Sequence, residues 1–137
     1  MNRDACNAFR YAGQAGGHYE SYFQRANHPT RPLAFWIRYT VFSPRGRPHD
    51  AVGELWAIWF DGETKAITAV KEVVPFARCT FSADALSAHI GEATLDAAGL
   101  TGSASSLDRT IAWDLRYTSP SPPLFLLPGG RYAGPFP

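Results

Sequence analysis

Between His18 and Tyr117, apolar and aromatic residues fall in short runs separated by turn-forming residues, the pattern of consecutive β-strands. His18 to Arg25 is aromatic and free of Gly and Pro, and Asn27-His28-Pro29 then supplies turn chemistry. Leu33 to Phe42 concentrates Phe35, Trp36, Ile37, Tyr39, Thr40 and Val41, all residues that favour a pleated surface. Pro44 and Pro48 break that run, because each removes a ladder donor and fixes its own φ. Val52 to Phe60 ends at Asp61-Gly62, a hairpin signal, and Lys65 to Val74 returns as its partner until Pro75. Shorter strands are expected at Ala77 to Phe81, Leu86 to Ile90 and Gly99 to Ala104. Arg109 to Tyr117 alternates cleanly, with Ile111, Trp113, Leu115 and Tyr117 on one face. About seven short strands of even spacing match an up-and-down barrel or a sandwich, and predict an all-β domain in the form of an antiparallel barrel or a strongly curved meander sheet.

The flanks differ in character. Residues 1–17 carry Gly13, Gly16 and Gly17 among polar positions and read as a flexible leader. Residues 119–137 are dominated by Pro and Gly and read as a linker or tail, leaving 18–118 as the β domain. A length of 137 residues fits one hydrophobic core. Thirteen basic residues against twelve acidic ones give a formal charge of +1, so nothing attracts phosphate broadly and nucleic acid is not an expected partner. Cys6 and Cys79 lie far apart and outside metal-ligand spacing, which reads as two free thiols in a reducing compartment. With no apolar run long enough to span a bilayer and no signal-peptide core at the start, the expected location is cytoplasmic, without an integral membrane segment.

Strand parity carries the reading toward a site, since directly opposed residues of antiparallel strands share a face. Pairing Thr40 with Val52 sets Arg38 opposite Glu54 and Trp36 opposite Trp56. Pairing Phe60 with Lys65 then sets Glu54 opposite Lys71. One face would therefore present Arg38, Glu54 and Lys71 beside Trp36 and Trp56, and the other Leu33, Phe35, Ile37, Tyr39, Val41, Leu55, Trp59 and Val70. Parity leaves open whether the charged row lines a cavity, orienting a mostly apolar ligand, or faces water as ordinary cross-strand ion pairs.

Other chemistry is thinly represented. His18, His28, His49 and His89 are scattered, so neither a metal site nor a cofactor is expected. Nucleophile-elbow, P-loop and dinucleotide glycine patterns do not occur. Glu20, Glu54 and Asp114 are the carboxylates inside predicted strands close to aromatics, as paired structural charges or as acids raised by burial.

The order of several motifs is similar to that of a known family. His18-Tyr19-Glu20-Ser21-Tyr22-Phe23, Ala26-Asn27, Arg31 to Thr40, Gly53 to Gly62 and Ile111-Ala112-Trp113-Asp114-Leu115 together resemble the hydroxyneurosporene synthase-like group, which includes AttH-like proteins and is related to tocopherol cyclases. The likeness spans about residues 18–118 and rests on motif order, not on one diagnostic signature. It implies a lipocalin-like, calycin-type barrel that usually occurs as two such domains, with this chain as the first half. It also implies an isoprenoid or lipid-like apolar small molecule, hydrated or cyclised in relatives by protonation of a double bond. By position it carries over Glu20, Arg38, Glu54, Trp56 and Trp113 as pocket candidates.

These readings converge on a domain that binds an apolar small molecule through Trp36, Arg38, Trp56, Lys71 and Trp113. One alternative is a hydratase or cyclase with Glu54 or Glu20 as proton donor and a tryptophan stabilising the cation. The other is a non-catalytic half-domain that docks a second barrel.

Overall fold

The computed structural model describes residues 3–128 and Arg131, and strands dominate them. The first sheet is a meander of β1 (His18–Asn27), β2 (Leu33–Ser43), β3 (Val52–Asp61) and β4 (Ala66–Pro75). The second is a meander of β5 (Cys79–Phe81), β6 (Ser87–Ile90), β7 (Ala93–Asp96), β8 (Gly99–Ser106) and β9 (Arg109–Arg116). All pairings are antiparallel, so the all-β expectation holds, in the form of two sheets. Strand β7 is the element that the sequence pattern leaves out. Four residues joined to β6 by the tight turn at Gly91-Glu92 give too short a run for alternation to register.

The core lies between the sheets. Ile37, Tyr39, Leu55, Ala57, Val70 and Val74 from the first sheet meet Ala88, Ile90, Ala93, Leu95, Leu100, Ala104 and Trp113 from the second. Of the set that parity assigned to the inner face, Ile37, Tyr39, Leu55 and Val70 are core, Val41 is buried and Phe35 packs at the core's edge, while Trp59 at the end of β3 is 39% exposed. Across this core the Tyr39 hydroxyl donates to the Thr94 carbonyl at 2.8 Å and accepts from Trp113 Nε1 at 2.9 Å. Two rings that must be buried thus satisfy their polar atoms on each other and on the β7 backbone. Room for the indole comes from Gly102, directly opposite Trp113 on β8, where a Cβ would lie 3.1 Å from the ring and 2.5 Å from Ala93 Cβ.

Strand β4 meets the end of β8 through a side chain. The Ser106 hydroxyl accepts from the Lys71 amide at 2.7 Å and donates to the Lys71 carbonyl at 2.8 Å, taking up both backbone groups of that edge residue. Ser105 N–H reaches Glu72 Oε2 at 3.2 Å beside it.

Both hairpin registers differ from the sequence reading by two residues. Thr40 faces Glu54, Arg38 faces Trp56, and Trp56 faces Lys71. Strand β2 runs on to Ser43, and the Asp61 turn closes over four residues, Gly62 to Lys65. There Asp61 Oδ1 accepts the amides of Glu63 and Thr64 at 2.9 and 3.1 Å, and Lys65 takes φ 59°. A slip of two keeps every side chain on its face and only slides it along.

The leader and tail are more engaged than Gly and Pro content implies. Residues 3–7 form a short helix, α1 (Arg3–Asn7), and Phe9 stacks on Phe81 with ring centres 4.4 Å apart. Tyr11 sets its ring edge against Phe76 and donates from its hydroxyl to Ser43 Oγ at 2.9 Å. With Val41 and Ala51 these rings form a second small core, so tertiary packing overrides the backbone entropy of the neighbouring glycines. Arg3 donates a hydrogen bond to the Ser121 carbonyl, tying α1 to the described part of the tail. Residues 1, 2, 129, 130 and 132–137 of the leader and tail lie outside the described residues. No helix among the described residues is long and apolar enough to cross a membrane.

Candidate functional site

The pairing of β1 to β4 defines what the first sheet turns away from the core. Tyr19 pairs with Phe42, Ser21 with Thr40, Phe23 with Arg38, Arg25 with Trp36 and Asn27 with Ala34. The rows continue through Val52, Glu54, Trp56, Ile58 and Phe60 on β3 to Pro75, Val73, Lys71, Ala69 and Ile67 on β4. An outer sheet face would ordinarily alternate polar against the core. This one is mainly apolar and aromatic, with Tyr19 and Phe23 each 55% exposed and Ile67 63% exposed.

The charged row sits at its centre, facing away from the inter-sheet core. Arg38 is held between indoles, its Cζ 5.1 Å from the Trp36 ring centre and 5.0 Å from that of Trp56, with Tyr19 at 6.0 Å. Lys71 Nζ lies 4.6 Å from the same Trp56 ring and 2.8 Å from Glu54 Oε1. The other Glu54 oxygen accepts from Trp56 Nε1 at 3.1 Å. Although no second layer covers this face among the described residues, long side chains shield one another. The Glu54 side chain is only 13% exposed and Thr40 is fully buried, its hydroxyl 3.0 Å from Ser21 Oγ.

Five of the seven residues singled out from sequence thus converge here: Trp36, Arg38, Glu54, Trp56 and Lys71. Glu54 and Lys71 pair diagonally, not face to face, because of the two-residue slip. Both carboxylate oxygens of Glu54 are occupied as acceptors, which suits a fixed anion that orients Lys71 and Trp56 better than a proton donor.

The other two are elsewhere. Trp113, carried over as a ligand contact, is a core residue on the far side of the first sheet. It is 7% exposed, edge-on to Tyr39 and bonded to the Tyr39 hydroxyl. Its strand alternates as expected, but the face it lines is the one the second sheet turns inward.

Glu20 pairs with Val41 and shares the core side of β1, so it is not part of the Glu54 row. Its carboxylate accepts from the Arg10 amide at 3.0 Å and from the Tyr22 hydroxyl at 3.2 Å, and lies 2.9 Å from His18 Nε2. Burial, then the Glu20 charge and hydrogen bond, push the Tyr22 hydroxyl well above the ordinary phenol range. His18 Nδ1 in turn meets Gln14 Nε2 at 3.1 Å, and the His18 ring stacks on Tyr11. This network borders an open cavity of about 580 Å³ with Arg10, Tyr19, Phe42 and Arg45 on its walls. Glu20 acts here as the anchor of the N-terminal segment.

The residues that sequence reasoning missed are Tyr19, Phe23, Phe42, Ile58, Phe60 and Ile67, which extend the outer face on both sides of the charged centre. Carrying the parity from β2 back into β1 and on to the strand ends would have found them. Among the described residues, no group of three His, Cys, Asp or Glu side chains is placed to hold a metal ion. Comparison with family models, with curated proteins and with solved structures returns no match for this chain.

Proposed function

We propose that the chain is a lipocalin-like module that binds an apolar small molecule of isoprenoid or lipid type, related to the hydroxyneurosporene synthase-like group. The observation that carries this reading is the outer face of the first sheet, where exposed aromatic and aliphatic side chains surround a partly buried cluster of Arg38, Trp56, Glu54 and Lys71. A soluble chain rarely leaves a contiguous apolar surface of this extent without a use. Tyr39, Ile90, Leu95 and Trp113 occupy the space between the sheets, which favours the outer face as the ligand surface. The engaged oxygens of Glu54 favour binding over proton transfer.

A second reading, docking of a second barrel on the same face, is favoured by the span of the apolar rows across all four strands. Titration with all-trans-retinol separates the two, because the polyene quenches the emission of any tryptophan it covers. Saturable quenching is expected, weakened ~3- to 10-fold by Trp36→Ala or Trp56→Ala, the equivalent of one aromatic contact. Absence of saturable quenching refutes the ligand reading. Concentration-dependent association of the free chain without it supports docking.

A further inference from the structure

We infer that the ligand of this face carries an acidic head, a carboxylate, and that Arg38 is the residue that receives it; this rests on the ligand reading above. The charge balance of the cluster points there. Among the described residues Glu54 is the one carboxylate that contacts it, and its two oxygens are engaged by Lys71 and Trp56. Arg38 has no hydrogen bond or ion pair to any described residue, and its Nε is shut off from solvent without a partner. Two other guanidinium groups pair with carboxylates, Arg31 with Glu63 through two bonds of 2.8 Å and Arg47 with Asp50 at 3.0 Å, while Arg38 is distinguished by its shielded, unpartnered Nε.

Shutting a guanidinium N–H off from water without an acceptor is costly, and indole faces offset only part of that cost. A bound anion supplies the rest. The cluster holds two cations against one carboxylate, an excess of one positive charge, which matches a singly charged head better than a phosphate monoester. A carboxylate is planar and takes two parallel N–H bonds from a guanidinium, and the Trp36 and Trp56 rings, with centres 5.1 and 5.0 Å from Arg38 Cζ, restrict where that fork can lie.

The tail then has a defined track. From Arg38 the outer rows run through Trp36 and Ile58 to Phe60 and Ile67, four residues along the strand or ~13 Å. A free long-chain carboxylate meets both requirements at once, with its head on Arg38 and its chain across the aromatic rows.

All-trans-retinoate and all-trans-retinol share one polyene and differ in the head, so their affinity ratio, read by tryptophan quenching on the full chain, isolates the head group. Retinoate is expected to bind ~10- to 100-fold more tightly than retinol, the range of a charge-assisted hydrogen-bonded pair. Arg38→Gln should bring the ratio close to one, while Arg38→Lys, which keeps charge and loses the fork, should leave an intermediate ratio. Near-ultraviolet circular dichroism of each variant checks that the Tyr39–Trp113 core is intact, and the ratio within the wild-type chain decides the matter if a variant does not fold. Retinol binding as tightly as retinoate to the wild-type chain overturns the head-group assignment and leaves the ligand reading standing. A ratio unchanged in Arg38→Gln overturns the role of Arg38. Saturable binding of neither compound overturns both readings together.

Discussion

Replacing Tyr39 by Phe removes a single hydroxyl, yet that hydroxyl is the polar junction between the two sheets. It accepts from Trp113 Nε1 at 2.9 Å and donates to the Thr94 carbonyl at 2.8 Å. The ring stays, so little volume is lost; what changes is that the Trp113 N–H, on a side chain 7% exposed, has no acceptor. A buried donor left unsatisfied costs about 1–3 kcal/mol. With a urea m-value of ~1–3 kcal/mol per molar, the unfolding midpoint should fall by about 1 M. Far-ultraviolet circular dichroism is the suitable probe, because Trp113 emission itself will respond to the substitution. Trp113→Phe should also destabilise, and the double variant should be less unstable than the sum by about 1 kcal/mol, the signature of a shared bond.

Burial pushes the Tyr39 hydroxyl well above the ordinary phenol range. The folded state therefore keeps a proton that the unfolded chain gives up near pH ~10. The contribution is complete below that pH and is lost as pH rises toward the folded value. Tyr39→Phe should accordingly show a shallower alkaline loss of stability than the wild-type chain. A Tyr39→Phe variant within 0.3 kcal/mol of wild type, roughly the error of such additivity tests, would refute the assignment of this bond as a structural link.

Two further outcomes are expected. Glu20→Ala should cost about 1 kcal/mol, chiefly by leaving the part-buried Tyr22 hydroxyl without its acceptor; losing the bond to the Arg10 amide should also speed hydrogen exchange at Arg10, and unchanged exchange would count against the anchor role. Burial, the largest cause, pushes the Cys79 thiol upward, so its alkylation by iodoacetamide, mapped by peptide mass, should be slower in the folded chain than in urea at slightly alkaline pH. Equal rates in the two states would contradict that environment.

The strand pattern was legible where one face is buried and the run is long. Strands β2 and β3 carry Ile37, Tyr39, Val41 and Leu55 at strict alternation, and their inner assignment follows from that alone. Register was less legible, because loop geometry sets it. The extra pair at Phe42 and Val52 and the four-residue Asp61 turn depend on local hydrogen bonds that composition does not encode. The site was legible as a face and not as a neighbourhood. Parity brought Trp36, Arg38, Glu54, Trp56 and Lys71 together, but sequence order gave Trp113 no layer, and only the second sheet's position assigns it to the core. The leader misled for a related reason: Phe9 and Tyr11 are held by Phe76, Phe81 and Ser43, partners more than thirty residues away.

Each ladder joins strands that are neighbours in the chain, so paired residues are separated by little more than a hairpin. The closure entropy of every pairing step is correspondingly small, and each sheet can zip up from its own turns as the polypeptide emerges. The bond from Trp113 to Tyr39 spans 74 residues, a far longer loop to close than any ladder pairing, and needs the last strand, β9. Docking of one finished sheet on the other is therefore the late event in assembly, and loosening it should hasten unfolding while leaving the rate of folding almost untouched.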